Sequence, residues 1–124
     1  MNRQRKFVAI VVLCMFVLAS GCSTFTKNTY SSIKTSAIMV DSAMKTCASL
    51  YDAGYITDAD VEEIKAIHKL YRSAYLVAVN ALTAYKQSDS VDDKEMLEYV
   101  MVEVTLLAGE IAVLVDLFLS RHDQ

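Results

Sequence analysis

Apolar positions along this chain follow two patterns. Residues 7–19 (FVAIVVLCMFVLA) form an unbroken apolar run of 13. From residue 25 onward, apolar positions recur at alternating spacings of three and four, the period of one face of an α-helix. Over residues 25–53 this stripe is Tyr30, Ile33, Ala37, Val40, Met44, Cys47 and Tyr51. Ser31, Ser32, Lys34, Asp41, Ser42 and Lys45 lie between them and suit a solvated face. A second stripe, ending near residue 87, is Ile64, Ile67, Tyr71, Ala74, Ala78, Ala81 and Tyr85, widened by Leu70, Tyr75, Val77 and Leu82. Its alanines favour close helix approach. A third, ending near residue 120, is Leu97, Val100, Val104, Leu107, Ile111, Leu114 and Phe118.

The breaks between the stripes carry turn and cap signals. Gly54 follows the first stripe, and a glycine just past a helix tolerates the left-handed conformation found there. Thr57-Asp58-Ala59-Asp60 resembles a capping box, and Ile56 and Val61 stand at the spacing of a hydrophobic staple. Ser88-Asp89-Ser90 marks a second turn, followed by Asp92, Asp93 and Glu95, which suit the positive end of a helix dipole. Both connections are short, so consecutive helices should be antiparallel neighbours. The predicted fold is all-α: an up-down-up antiparallel three-helix bundle with long helices, over residues 27–120, with a short tail at 121–124.

The third helix is more apolar than such a bundle requires. Over residues 96–119, 18 of 24 residues are apolar. Val102, Leu106, Val113 and Leu117 lie off the core stripe and need another cover. Glu103 and Glu110, seven apart, share a face beside them. Together with Glu110, Glu103 and Asp116 would be costly inside a bilayer, at about 2.5–3.5 kcal/mol each near its centre. A covering partner, either a second copy or another envelope protein, is the leading expectation; the alternative to it is a hydrophobic but monomeric domain, and a membrane span is disfavoured.

The N-terminal run changes the meaning of the composition. Apolar residues make up 54% of the chain, with no proline and three glycines. That scarcity of turn formers disfavours sandwich and doubly wound folds. Part of the apolar content belongs to residues 1–21, where a basic start with Arg3, Arg5 and Lys6 precedes the 13-residue run. This is the order of an export signal, and the run is shorter than the roughly 20 residues of a membrane-spanning helix. The segment ends Leu18-Ala19-Ser20-Gly21-Cys22.

That ending resembles the lipobox of bacterial lipoproteins, with Ala19 where leucine is commonest. The resemblance covers the first 22 residues only. It implies cleavage before Cys22, a diacylglycerol on the Cys22 thiol, and attachment to membrane lipid through the acylated cysteine. Residues 22–26 would then be a lipidated tether. Ser23 at the following position implies sorting to the outer membrane in a Gram-negative host, facing the periplasm. More than one acyl chain gives stable anchoring, at about 0.8 kcal/mol per buried methylene. Removing Arg3, Arg5 and Lys6 moves the net charge from −3 to −6, which disfavours nucleic acid as a partner. Cys47 becomes the sole free thiol of the processed chain and lies on an apolar stripe, as a small buried hydrophobe does.

Candidate chemistry is sparse. The sequence contains no Glu-x-x-His, His-x-x-x-His or Cys-x-x-Cys, no glycine-rich phosphate loop and no Gly-x-Ser-x-Gly. His68, beside Lys69 and Arg72, is expected as a helix-surface or boundary residue. No catalytic residue, metal or cofactor is expected. Tyr30, Tyr51, Tyr71 and Tyr85 are expected in the core with their hydroxyls wet. The expected function is a non-enzymatic, membrane-anchored envelope lipoprotein acting as a helical interaction or structural module. Two alternatives stay open: a prophage-type exclusion or immunity lipoprotein, and a binder of small ligands in a tyrosine-lined groove.

Overall fold

A computed structural model describes residues 22–122, together with the isolated positions Arg3, Lys6 and Ile10. The expected signal segment otherwise lies outside the described residues, as do the side chains of Cys22, Ser23 and His122. Three helices follow in order: α1 (Cys22–Asp52), α2 (Asp58–Ser88) and α3 (Val91–His122). All three pairs pack together as an antiparallel bundle, most extensively α2 on α3 and least α1 on α2. At 1.5 Å per residue, helices of 31 and 32 residues make a rod about 47 Å long.

The turns form as the sequence predicts. Gly54 takes φ +80°. Tyr55 N–H donates to the Leu50 carbonyl at 2.9 Å and Gly54 N–H to that of Tyr51 at 2.9 Å, the paired bonds of a Schellman end. Thr57 caps α2 through a complete capping box. Asp60 N–H donates to Thr57 Oγ1 at 3.2 Å, and Thr57 N–H donates to Asp60 Oδ2 at 2.9 Å. Aspartate replaces the usual glutamate without losing either bond. Ile56 is buried and Val61 packs against the core, as a staple requires. At the other end Asp89 is left-handed at φ 53° and its N–H donates to the Tyr85 carbonyl. Ser90 then caps α3, its Oγ accepting from Asp93 N–H at 3.1 Å. Ser88 Oγ donates to the Asp93 carboxylate across this turn.

The core runs the length of the rod. Ile64, Leu97, Val104, Ile111 and Phe118 are fully buried, as are Ala78 and Ala108 within about a per cent. Ala74 and Ala78 let α2 approach α3 closely. Phe25 is also buried, packed edge-on to Tyr85 with ring centroids 5.6 Å apart, while Lys94 Nζ lies 4.9 Å from the centre of its ring. Phe25 therefore ties all three helices together, and the stretch expected as a tether, residues 22–26, is the first turn of α1. At the far end Arg121 reaches from α3 to Asp60 on α2, 3.2 Å apart.

Two expectations about helix faces are corrected. Tyr30 and Tyr51 are exposed rather than core. The buried line of α1 is Phe25, Thr29, Ile33, Val40, Cys47 and Leu50, with Ala37 and Met44 only partly covered. α1 packs more closely on α3 than on α2, so its face is turned towards α3 and away from the 30/37/44 line. Leu70 and Val77 likewise do not widen the core of α2. At 100° per residue they point well away from the Ile64–Tyr71–Ala78–Tyr85 line.

Candidate interaction surface

The outer side of α3 carries a line of uncovered apolar side chains. Val102, Leu106, Val113 and Leu117 are 60%, 63%, 62% and 51% exposed, and Tyr99 near the start of the helix is 73% exposed. All five project on the side opposite Leu97, Val104 and Ile111, because a 100° step per residue separates the two sets by roughly half a turn. Isolated exposed apolar side chains are ordinary, whereas five on one line over nearly five turns are not. Glu103 and Glu110 flank this ridge on one side, Glu98 and Asp116 on the other, and all four are exposed. The residues expected to form an interaction face are thus brought together as a ridge with acidic borders. No helix among the described residues is long and apolar enough to cross a membrane.

A second feature lies on the opposite side of the bundle, where α1 and α2 meet loosely. Two adjoining cavities of about 510 and 440 Å³ share Ala37, Asp41 and Tyr75 and form one open groove. Tyr30, Ile38 and Lys86 line its lower part, and His68, Arg72 and Leu76 its upper part. Ile38 and Leu76 are 62% and 60% exposed. Lys34 stands on the α1 wall, Lys86 and Arg72 on the α2 wall. Lys86 Nζ sits 5.9 Å from the centre of the Tyr30 ring. Asp41 pairs with Lys45 at 3.1 Å. The groove is therefore apolar along its floor and basic along its walls.

Tyr71 is buried and its hydroxyl shares a hydrogen bond of 3.0 Å with Ser36 Oγ. Burial pushes its pKa up, partly offset by that bond. Tyr71 lies between His68, stacked at 6.4 Å, and Tyr75 at 6.1 Å. His68 is partly exposed, as expected of a boundary residue, and lines the groove. Of the four tyrosines singled out in the sequence, Tyr30 and Tyr71 line the groove, Tyr85 is core, and Tyr51 caps the far turn. There its hydroxyl donates to Asp58 Oδ1 at 2.6 Å, which pushes the tyrosine pKa up. Cys47 is buried, and burial together with the nearby Asp60 charge raises its pKa. Among the described residues no group of His, Cys, Asp and Glu is arranged to hold a metal ion, and no buried side-chain polar atom lacks a partner.

Sequence reasoning raised a tyrosine-lined groove only as an alternative; Tyr30 and Tyr71 do line one, but its position at the α1–α2 seam and its basic walls were not foreseen. The signal that would have found it is the set Tyr30, Lys34, Ile38 and Asp41, one face of α1 beside the core stripe. The Cys22 and Ser23 side chains lie outside the described residues, although α1 begins at Cys22. Family models, curated proteins and solved structures were all compared with the chain, and none matches.

Proposed function

We propose that this chain is a non-enzymatic lipoprotein of the bacterial cell envelope, anchored through an acylated Cys22 and acting as a helical interaction module. The observation that carries the reading is the Leu18–Cys22 lipobox behind a basic start and a 13-residue apolar run. The exposed apolar ridge on α3 supports the interaction role, since a surface of that kind is stabilised by cover. Ser23 favours the outer membrane, with the bundle in the periplasm.

The fold supports this reading in one further way. Phe25, three residues after the anchor, is locked in the core. The bundle would therefore stand close to the bilayer without a long flexible linker. The Asp89–Ser90 turn would face the membrane, and the Gly54 turn would be about 47 Å away from it. Two acyl chains supply the membrane affinity, so the acidic surface need not contribute.

Metabolic labelling with a fatty-acid analogue tests the anchor. The wild-type chain should carry label and fractionate with membranes, and a Cys22→Ala variant should lose both. Equal labelling of the two proteins would overturn the proposal.

A further inference from the structure

We propose that copies of this chain associate side by side, with the α3 ridge of one copy seated in the α1–α2 groove of the next. The ridge and the groove lie on opposite sides of the bundle, so the contact is head-to-tail. Such a contact repeats into open rows rather than closing a symmetric dimer.

Charge selects this occupant. Between residues 95 and 120, α3 carries Glu95, Glu98, Glu103, Glu110 and Asp116 and no basic residue. A symmetric contact of two α3 ridges would set these acids against each other, which is unfavourable. The groove walls offer the opposite sign in Lys34, Arg72 and Lys86. Among the described residues, Lys34, Arg72, Glu103 and Glu110 have no ion-pair partner within the chain, while the groove's acid, Asp41, is already paired with Lys45.

Register agrees with charge when the copies stand parallel. That orientation rests on the anchoring proposed above, which puts every Cys22 at one membrane surface. Levels along the rod follow from 1.5 Å per residue, counted from Cys22, Ser88 and Val91. The same count puts Phe25 level with Tyr85, and Arg121 near Asp60, the pairs the structure joins. Arg72 then lies at about 24 Å, between Glu103 at about 18 Å and Glu110 at about 29 Å. Lys34 at about 18 Å is level with Val102 at about 17 Å, and Leu106 at about 23 Å falls between Leu76 and Ile38, at about 18 and 24 Å. Helix handedness puts the Glu103/Glu110 flank towards α2 of the neighbour, where Arg72 stands, and turns Val102 towards α1. In the reverse orientation Val102 would sit about 13 Å from the level of Lys34.

Disulfide trapping in the full chain tests both the contact and its register. Lys34→Cys with Val102→Cys in one chain should give a ladder of linked multimers when membranes are oxidised. Neither single variant should give more than the wild-type background. Arg72→Glu added to that chain should abolish the ladder, and Glu103→Arg with Glu110→Arg should then restore it. A dimer from Val102→Cys alone would overturn the proposal in favour of a symmetric α3 contact. Absence of a ladder in a double variant with wild-type helicity would overturn it outright. Fatty-acid labelling of the same membranes separates the two readings. A labelled chain without a ladder defeats the contact alone, and a ladder in an unlabelled chain defeats the anchor alone.

Discussion

If copies associate through the α3 ridge as proposed, replacing Leu106 and Val113 by serine is expected to disperse them while leaving the fold intact. In the isolated bundle Leu106 and Val113 are 63% and 62% exposed, whereas Ile111 between them is fully buried. Complete burial of such a side chain is worth about 1.5–3 kcal/mol. Roughly three-fifths of that remains to be gained on association, or about 1–2 kcal/mol for each residue. The pair therefore accounts for about 2–4 kcal/mol of contact energy, equivalent to a loss of roughly 30- to 1,000-fold in affinity. The cost to folding is the smaller remainder, about 1 kcal/mol or less per site. Ile111→Ala is the contrast: it opens a cavity in the core and should cost about 2–5 kcal/mol of folding stability. Sedimentation of the detergent-solubilised full chain gives the mass, and far-UV circular dichroism with thermal unfolding gives the fold. An unchanged mass with retained helicity in the Leu106→Ser, Val113→Ser variant would refute the reasoning. So would a wild-type chain that sediments as a monomer.

Three further predictions concern the turns and the core thiol. Gly54→Ala meets no neighbour within 4 Å but forces alanine into φ +80°, so a loss of about 1–2 kcal/mol should appear in denaturant unfolding. Asp60 has its pKa lowered, chiefly by the Thr57 backbone N–H, then by the Thr57 hydroxyl and Arg121. A carboxylate lowered in the folded state stabilises above its unfolded pKa, and that stability is lost as pH falls through the folded value. The Tm advantage of the wild type over Asp60→Asn should therefore be full at neutral pH and shrink in acid below the ordinary aspartate range. An advantage that grew on acidification would contradict the assignment. Cys47 is buried with a raised pKa, so alkylation at mildly alkaline pH should be slow in the native chain and fast in denaturant, as followed by mass spectrometry.

Local physics made the helices and their ends legible from sequence. The 3–4 spacing, Gly54, the Thr57–Asp60 box and the Ser88–Ser90 turn act within a few residues of themselves, and each forms as expected. The acidic apolar ridge was legible too, because α3 has more apolar positions than one buried face can use. The groove's position at the α1–α2 seam was not. Whether Tyr30, Ala37 and Met44 are core or groove depends on which neighbour α1 approaches more closely. The same holds for Leu70 and Val77, apolar in sequence yet turned outwards by the direction of α2.

What the sequence determines alone is therefore the three helices and the surplus of apolar surface on the last of them, and it is the sequence alone that carries the proposed address at Cys22. Tertiary packing decided that α1 turns its face towards α3. That choice left the α1–α2 seam open, set Lys34 and Arg72 along its walls, and placed it opposite the α3 ridge. A spacing pattern defines a helix face only to within a wide arc, and the close approach of a particular neighbour chooses the direction within it.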